Sequence, residues 1–352
     1  MNEDLVPMRA AVATGPLRVL FVDDEARILR ALKALFRDVE VYTTADPREA
    51  AGLAGAHDVD VVVCDQRMPE VLGAEVLREI RHSHPRAMRI LLTGYSDLKS
   101  VLGSVNEGEV YRFVNKPWVN ADLRNLVFEA GRIAREAPVL AADQPISEAD
   151  KALVRSEVGI LVIEDDPTVQ QRLREILQPH YQVRFANTAE RALQILEQHE
   201  TGVVISETET GHGDLTALLK ALKQFHPHIA TVVVTERANA QTVIELINEG
   251  QVYRMLLKPV RMGSCRLSVD SALGRYWQLK SNPLATRRFQ VAPAVRKKES
   301  DRRPSSVNAP FFEQRQQLRH RLAGAQQVAP VRVLRTVDPF RYPPVQFEVE
   351  GD

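Results

Sequence analysis

A stretch of twelve residues occurs twice in this chain, and no other feature constrains its folding as much. Residues 106–117 read NEGEVYRFVNKP and residues 248–259 read NEGQVYRMLLKP, at an offset of 142. At the same offset His84-Pro85 falls on His226-Pro227 and Thr93 falls on Thr235. Near the start of each copy RVLFVDDEARILRAL matches GILVIEDDPTVQQRL at an offset of 141, which implies a one-residue length change after the first helix of the unit. The duplicated unit is about 120 residues long, too long for a solenoid repeat and the right size for a domain.

Each copy alternates short apolar runs with segments of helical spacing. In the first, strands are expected at Val19–Val22, Val39–Tyr42, Val59–Cys64, Arg89–Leu92 and Tyr111–Val114. Between the first two, Ile28, Leu29, Leu32, Leu35 and Phe36 share a helix face. In the second, strands are expected near Ile160–Ile163, Val183–Phe185, Val203–Ile205, Thr231–Val234 and Tyr253–Leu257. Near-continuous apolar strands between amphipathic helices indicate a parallel sheet covered on both faces.

In such sheets ligands bind beyond the carboxyl ends of the strands, where strand order reverses. The residues that follow the apolar runs of copy one are Asp23, Asp24 and Glu25, then Asp65, then Thr93, then Lys116-Pro117. Carboxylates crowded at one place raise each other's pKa unless a counter-charge is present. A lysine and a divalent cation supply it, and Mg²⁺ prefers carboxylate and water oxygens and commonly bridges to phosphate. This set of parts suits phosphoryl transfer, which asks a protein mainly for positioning and charge neutralisation. Asp65 would be the nucleophile, Asp23, Asp24 and Asp65 the metal ligands, and Thr93 and Lys116 the holders of the phosphoryl oxygens.

These motifs, the acid pair in VLFVDDEARIL, the acceptor in VVVCDQRMP, the threonine in ILLTGYS and the lysine in VNKPW, resemble the receiver domains of bacterial two-component response regulators. The wording LLTGYSD…NEGEVYRFVNKPW is similar to receivers found with HD-type cyclic-dinucleotide phosphodiesterases and with hydrogenase regulators. The resemblance implies a flavodoxin-like (βα)5 fold, Mg²⁺ dependence and phosphorylation of Asp65. It also implies a switch in which Thr93 moves toward the phosphoryl group and Phe113, three residues before the lysine, turns inward.

The second copy departs from this pattern. The acceptor position holds Glu207, and Glu164 replaces the first member of the acid pair, while Asp165, Thr235 and Lys258 remain. Glu236 stands where copy one has Gly94, Met255 where it has Phe113, and Thr210-Gly211 where it has Met68-Pro69. The expectation is a degenerate receiver that folds without cycling, with Glu207 paired to Lys258 and locking the domain in one state.

The expected architecture is therefore α/β: two flavodoxin-like (βα)5 receivers with parallel five-stranded sheets and a largely disordered basic C-terminal tail. The expected boundaries are a disordered 1–16, a phosphorylatable receiver at 17–136, a linker at 137–157, a pseudo-receiver at 158–281 and a tail at 282–352. The linker carries Pro138 and Pro145 and a short helix over Ser147–Val154. From Pro283 onward 13 basic residues face 7 acids, a polar composition that reads as disorder and offers no nucleic-acid-binding motif.

Over the whole chain 46 bases balance 46 acids, and Cys64 and Cys265 are the only cysteines. That balance carries no electrostatic signature of nucleic-acid or membrane binding, and two cysteines build no disulfide framework. With no signal-peptide pattern and no apolar stretch of membrane-spanning length, a cytoplasmic location is expected. No segment reads as an output domain. The expected function is thus a phosphorelay response regulator that accepts a phosphoryl group on Asp65 and acts through protein–protein contacts. A sensor histidine kinase or histidine phosphotransfer protein would be the donor, with a downstream protein or a second copy of the chain as partner. The alternatives are a phosphotransfer intermediate or sink, with Arg67 and Tyr95 gating water, and, less favoured, a nucleic-acid regulator acting through the tail. No enzyme activity is expected beyond the receiver's own phosphoryl transfer and loss.

Overall fold

The computed structural model describes residues 15–94, 110–139, 152, 155–236, 240–250 and 252–289. Residues 1–14 of the expected disordered N-terminus, most of the linker with its helix, Tyr95 and the tail beyond residue 289 lie outside the described residues.

The first copy folds as β1 (Arg18–Val22), α1 (Ala26–Leu35), β2 (Glu40–Thr44), α2 (Ala50–Ala56), β3 (Val61–Asp65), α3 (Gly73–Ser83), β4 (Met88–Thr93), β5 (Arg112–Asn115) and α4 (Asn120–Glu136). Its parallel strands lie in the order β2-β1-β3-β4-β5. The central strands β3 and β4 are buried along their whole length, as their unbroken apolar runs require of a sheet covered on both faces. Val19, Phe21, Val61, Val63, Ile90 and Leu92 pack on one face against Leu32 and Phe36 near α1 and Leu123, Val127 and Ala130 of α4. Each such side chain contributes about 1.5–3 kcal/mol when fully buried. The Phe21 and Phe36 rings meet at 5.1 Å between centroids, so an acidic residue at Phe21 would break this face.

The second copy folds as β6 (Gly159–Ile163), α5 (Pro167–Leu177), β7 (Val183–Ala186), α6 (Ala189–Gln198), β8 (Thr201–Ser206), β9 (Glu209–Thr210), β10 (Gly213–Asp214), α7 (Thr216–Phe225), β11 (Ala230–Thr235), α8 (Ala240–Gly250), β12 (Arg254–Leu257) and α9 (Met262–Ser281). The five-stranded sheet has the order β12-β11-β8-β6-β7, the same topology. All ten expected strands are present with shifted ends. Strand β3 starts at Val61 rather than Val59, because Asp58 takes φ 44 and Val59 N–H still bonds back to Ala54. The β9–β10 hairpin was not expected; it turns through Gly211-His212, and Gly213 at φ 128 suits a residue without a Cβ. No described helix is long and apolar enough to cross a membrane.

The two receivers touch. Helix α8 packs on β5, the edge strand of the first sheet. One continuous buried cluster holds Val110 and Phe113 of the first receiver together with Val243, Ile244, Ile247, Val252 and Met255 of the second. At a separate place the 3-10 segment Pro283–Phe289 returns to the first receiver. There the buried Arg288 guanidinium donates to the carbonyls of Ala137 (3.4 Å), Pro85 (3.1 Å) and Arg86 (2.6 Å), and Arg287 pairs with Glu136 at 3.5 Å.

Candidate functional site

The chain runs from β1 out to β2, then crosses to β3 on the other side of β1, so the carboxyl ends of β1 and β3 flank a crevice. Asp23, the first residue after β1, is buried; its N–H donates to Thr44 O, and its Oδ1 accepts the Glu25 N–H at 2.9 Å. Asp24 beside it is exposed. Asp65 is the last residue of β3 and is buried, its Oδ1 accepting the Gln66 N–H at 2.8 Å. Thr93 ends β4, fully buried, with its hydroxyl donating to Gly94 O at 3.2 Å.

Strand β5 delivers the cation. The Lys116 N–H donates to Thr93 O at 2.9 Å, and the peptide to Pro117 is cis. Its ammonium lies 2.7 Å from Asp65 Oδ1 and 3.2 Å from Asp23 Oδ2. The Lys116 ammonium and the Gln66 N–H thus both fall on Asp65 Oδ1. The loop after β3 packs closely on Asp65. A Cβ on Gly73 would lie 2.0 Å from the Asp65 carbonyl oxygen, a distance only glycine permits.

Charge is unbalanced here. Burial raises the Asp23 carboxyl above its ordinary range against the pull of the Glu25 N–H and Lys116, and the Asp65 charge adds to the rise. Burial alone would lower Lys116, but the Asp65 and Asp23 carboxylates outweigh it and raise the ammonium. Asp23, Asp24 and Asp65 each offer one oxygen within 4.8 Å of the others; among the described residues they are the one set of three that could hold a metal ion. Hard carboxylate oxygens with excess negative charge and an exposed member fit a small divalent cation such as Mg²⁺.

The second copy gathers its equivalents and closes them. Lys258 sits 2.8 Å from Glu164 Oε2 and 2.9 Å from Glu207 Oε2. Glu207 Oε1 accepts from the Thr208 N–H (2.9 Å) and hydroxyl (3.1 Å), and Glu164 Oε1 accepts the N–H groups of Asp165 and Asp166, both at 3.1 Å. Asp165 is drawn away to accept the Gly211 N–H of the β9–β10 hairpin. Thr235 ends β11, buried, and accepts the Lys258 N–H on its carbonyl at 3.0 Å, while Glu236 is exposed. Burial lowers Lys258, yet Glu164 and Glu207 together raise it. The expected Glu207–Lys258 pairing is present.

Phe113 is buried in a cluster to which both receivers contribute, and its backbone is held by the second. Its N–H donates to Asn248 Oδ1 at 2.9 Å, and its carbonyl accepts from Asn248 Nδ2 at 2.8 Å. Sequence reasoning missed Asn248, and it missed Gln66. The fully buried Gln66 joins β4 through Leu92 O (2.9 Å) and α3 through the Ala74 N–H (3.1 Å) to the Asp65 carboxylate. Its position directly after Asp65 was the available signal.

Comparison with known proteins agrees with this geometry. The profile of the response regulator receiver domain matches residues 19–128 and again 160–269. The hydrogenase transcriptional regulatory protein HoxA of Cupriavidus necator is 40% identical over 113 residues, 32% of this chain and 23% of its own length. HoxA of Bradyrhizobium diazoefficiens is 34% identical over 118 residues, 33% of this chain and 24% of its own. The chain thus spans about a quarter of the length of these relatives. Among solved structures, a signal receiver domain of an HD domain-containing protein from Pseudomonas fluorescens Pf-5 is 31% identical, covering 36% of this chain and 95% of that one, with a TM-score of 0.34. Two profile matches laid over two sheets of one topology, each with its acids and lysine at the same strand ends, place the chain in the response regulator receiver family, with two receiver domains in tandem.

Proposed function

We propose that this chain is a phosphorelay response regulator whose first receiver takes a phosphoryl group on Asp65 and whose second does not. Receivers of this family accept phosphoryl groups from histidine kinases or phosphotransfer proteins, and an aspartate is the general acceptor. The observation that carries the assignment is the contrast between two carboxylates under equivalent lysines. Asp65 meets both Lys116 and the Gln66 N–H through Oδ1, whereas Glu207 divides its two oxygens between Lys258 and Thr208.

In this reading an Asp65 oxygen forms a new P–O bond as the P–N bond of a donor phosphohistidine breaks, and the imidazole leaves with the electron pair. Lys116 exchanges part of its contact with Asp65 for a phosphoryl oxygen, and Thr93 supplies a hydroxyl at the neighbouring strand end. Asp23, Asp24 and Asp65 would hold Mg²⁺, which when bound neutralises charge on the transferring group. The protein's catalysis is limited to its own phosphoryl gain and loss, its place is the cytoplasm, and its output is a protein–protein contact. Glu207, held at both ends, keeps the second receiver in one arrangement.

Acetyl phosphate with Mg²⁺ tests the assignment on the full-length protein, read by intact mass and site mapping. One phosphoryl group on Asp65, absent from Asp65→Asn and after chelation of the metal, is the expected result. A phosphoryl group on Glu207, or none on Asp65 even with a histidine donor, overturns it.

A further inference from the structure

An edge strand leaves a row of backbone N–H and C=O groups without sheet partners. On β5, Arg112 and Val114 face β4, and the outward groups of Phe113 are taken up by one side-chain amide, Asn248, at 2.9 and 2.8 Å. A primary amide presents a donor and an acceptor side by side, as the backbone of a neighbouring strand would. The second receiver therefore completes the first receiver's sheet at one residue and brings Val243, Ile244 and Ile247 into the same buried cluster as that residue.

The same strand ends in the phosphoryl site. Phe113 lies three residues before Lys116, and β5 spans only Arg112–Asn115 with β4 as its single sheet neighbour. At the other end of this short lever the Lys116 ammonium touches Asp65 at 2.7 Å and Asp23 at 3.2 Å. We propose that the second receiver is the in-chain partner that reads the first, and that a phosphoryl group on Asp65 weakens its hold on Phe113. The claim rests on Asp65 being the acceptor.

The direction follows from what the docked form is complementary to. Lys116 now reaches a bare carboxylate. A phosphoryl group on that oxygen atom set moves the negative charge outward by a bond length or more and draws the ammonium after it. A four-residue edge strand with one neighbour shifts with its end. Two hydrogen bonds at 2.8 and 2.9 Å converging on one residue tolerate little displacement, because their strength falls steeply with misalignment. A site that binds two states of the same strand unequally biases the equilibrium between them. Asn248 acts here as a positioning residue: it touches neither Asp65 nor the phosphoryl group.

The test uses full-length protein, unmodified and acetyl phosphate-loaded, with intact mass and amide hydrogen exchange measured on the same samples. Loading should speed exchange of the Phe113 amide and of α8 by about tenfold or more, the scale of ordinary coupling between sites. Linkage then requires the converse: Asn248→Leu, which fills similar space without donor or acceptor, should bind beryllofluoride with Mg²⁺ more tightly by the same factor. Loaded Asp65 with unchanged exchange at Phe113 and α8 overturns the inference and leaves the acceptor assignment standing. No phosphoryl group on Asp65 at all overturns both. Equal beryllofluoride affinity in the variant and the parent also overturns the inference, since a merely structural asparagine would leave that affinity alone.

Discussion

Asn248 of the second receiver closes a two-bond ring with the backbone of Phe113 in the first, donating to its carbonyl at 2.8 Å and accepting from its N–H at 2.9 Å. The identity of the amide matters, because no other side chain of that length both donates and accepts there.

Asn248→Ala should lower the stability of the receiver–receiver contact by about 2 kcal/mol, since it strips two buried backbone groups of their partners. Asn248→Asp should loosen the contact further, because a carboxylate oxygen then faces the Phe113 carbonyl. Interdomain energy transfer during denaturant titration reports both; an aspartate variant as tight as the parent would contradict the geometry.

Arg288→Ala should cost about 2 kcal/mol, because three carbonyls of the first receiver lose a charged donor. The shift belongs in the denaturation midpoint of the full chain, with Arg288→Lys restoring only part of it, since an ammonium cannot match a planar fork. No shift in either variant would mean that the segment 283–289 rests on the first receiver without holding it.

Gly73→Ala should damage the acceptor loop rather than the core. With a Cβ driven to 2.0 Å from the Asp65 carbonyl, the loop must move. A displacement near 1 Å at a reacting group costs on the order of a hundredfold in rate. Asp65 labelling by acetyl phosphate should fall on that scale while the fold persists by circular dichroism. Undiminished labelling would show that the loop can yield without moving the carboxylate.

Both site lysines titrate above the ordinary lysine value of 10.5, since their carboxylate pairs outweigh the burial that lowers them. A raised cation stabilises the fold fully below its unfolded value and loses that contribution as pH climbs through the folded one. Stability from these pairs should hold up to the ordinary lysine value and fall only above it. Denaturant midpoints against pH, for the parent and for Lys116→Met, would show the step and its partial loss. A step of undiminished size in the variant would remove Lys116 as a source of it.

The gathering of Asp23, Asp65, Thr93 and Lys116 was legible because strand ends are marked in sequence. Asp65, Thr93 and Lys116 each close a hydrophobic run, and a parallel sheet brings such ends together. The closure of the second pocket was legible for the same reason, as Glu207 and Lys258 occupy the equivalent ends. The receiver–receiver contact was not. Asn248 sits in NEGQVYR and Asn106 in NEGEVYR, so local pattern treats the two asparagines alike and cannot say which one meets which strand. The short β9–β10 hairpin escaped because two-residue strands carry no periodicity, and Gln66 escaped because one polar residue inside a conspicuous motif looks like part of its loop.

Both halves of the Asn248–Phe113 contact belong to a single polypeptide, so its strength does not depend on how many copies a cell contains. A tether of this kind holds its two ends at an effective concentration on the order of millimolar. A free rival for the β5 edge, including another molecule of the same protein, must overcome that local excess before it can bind. Dilution leaves the contact untouched, so the proposed readout of Asp65 through Phe113 would need no second molecule.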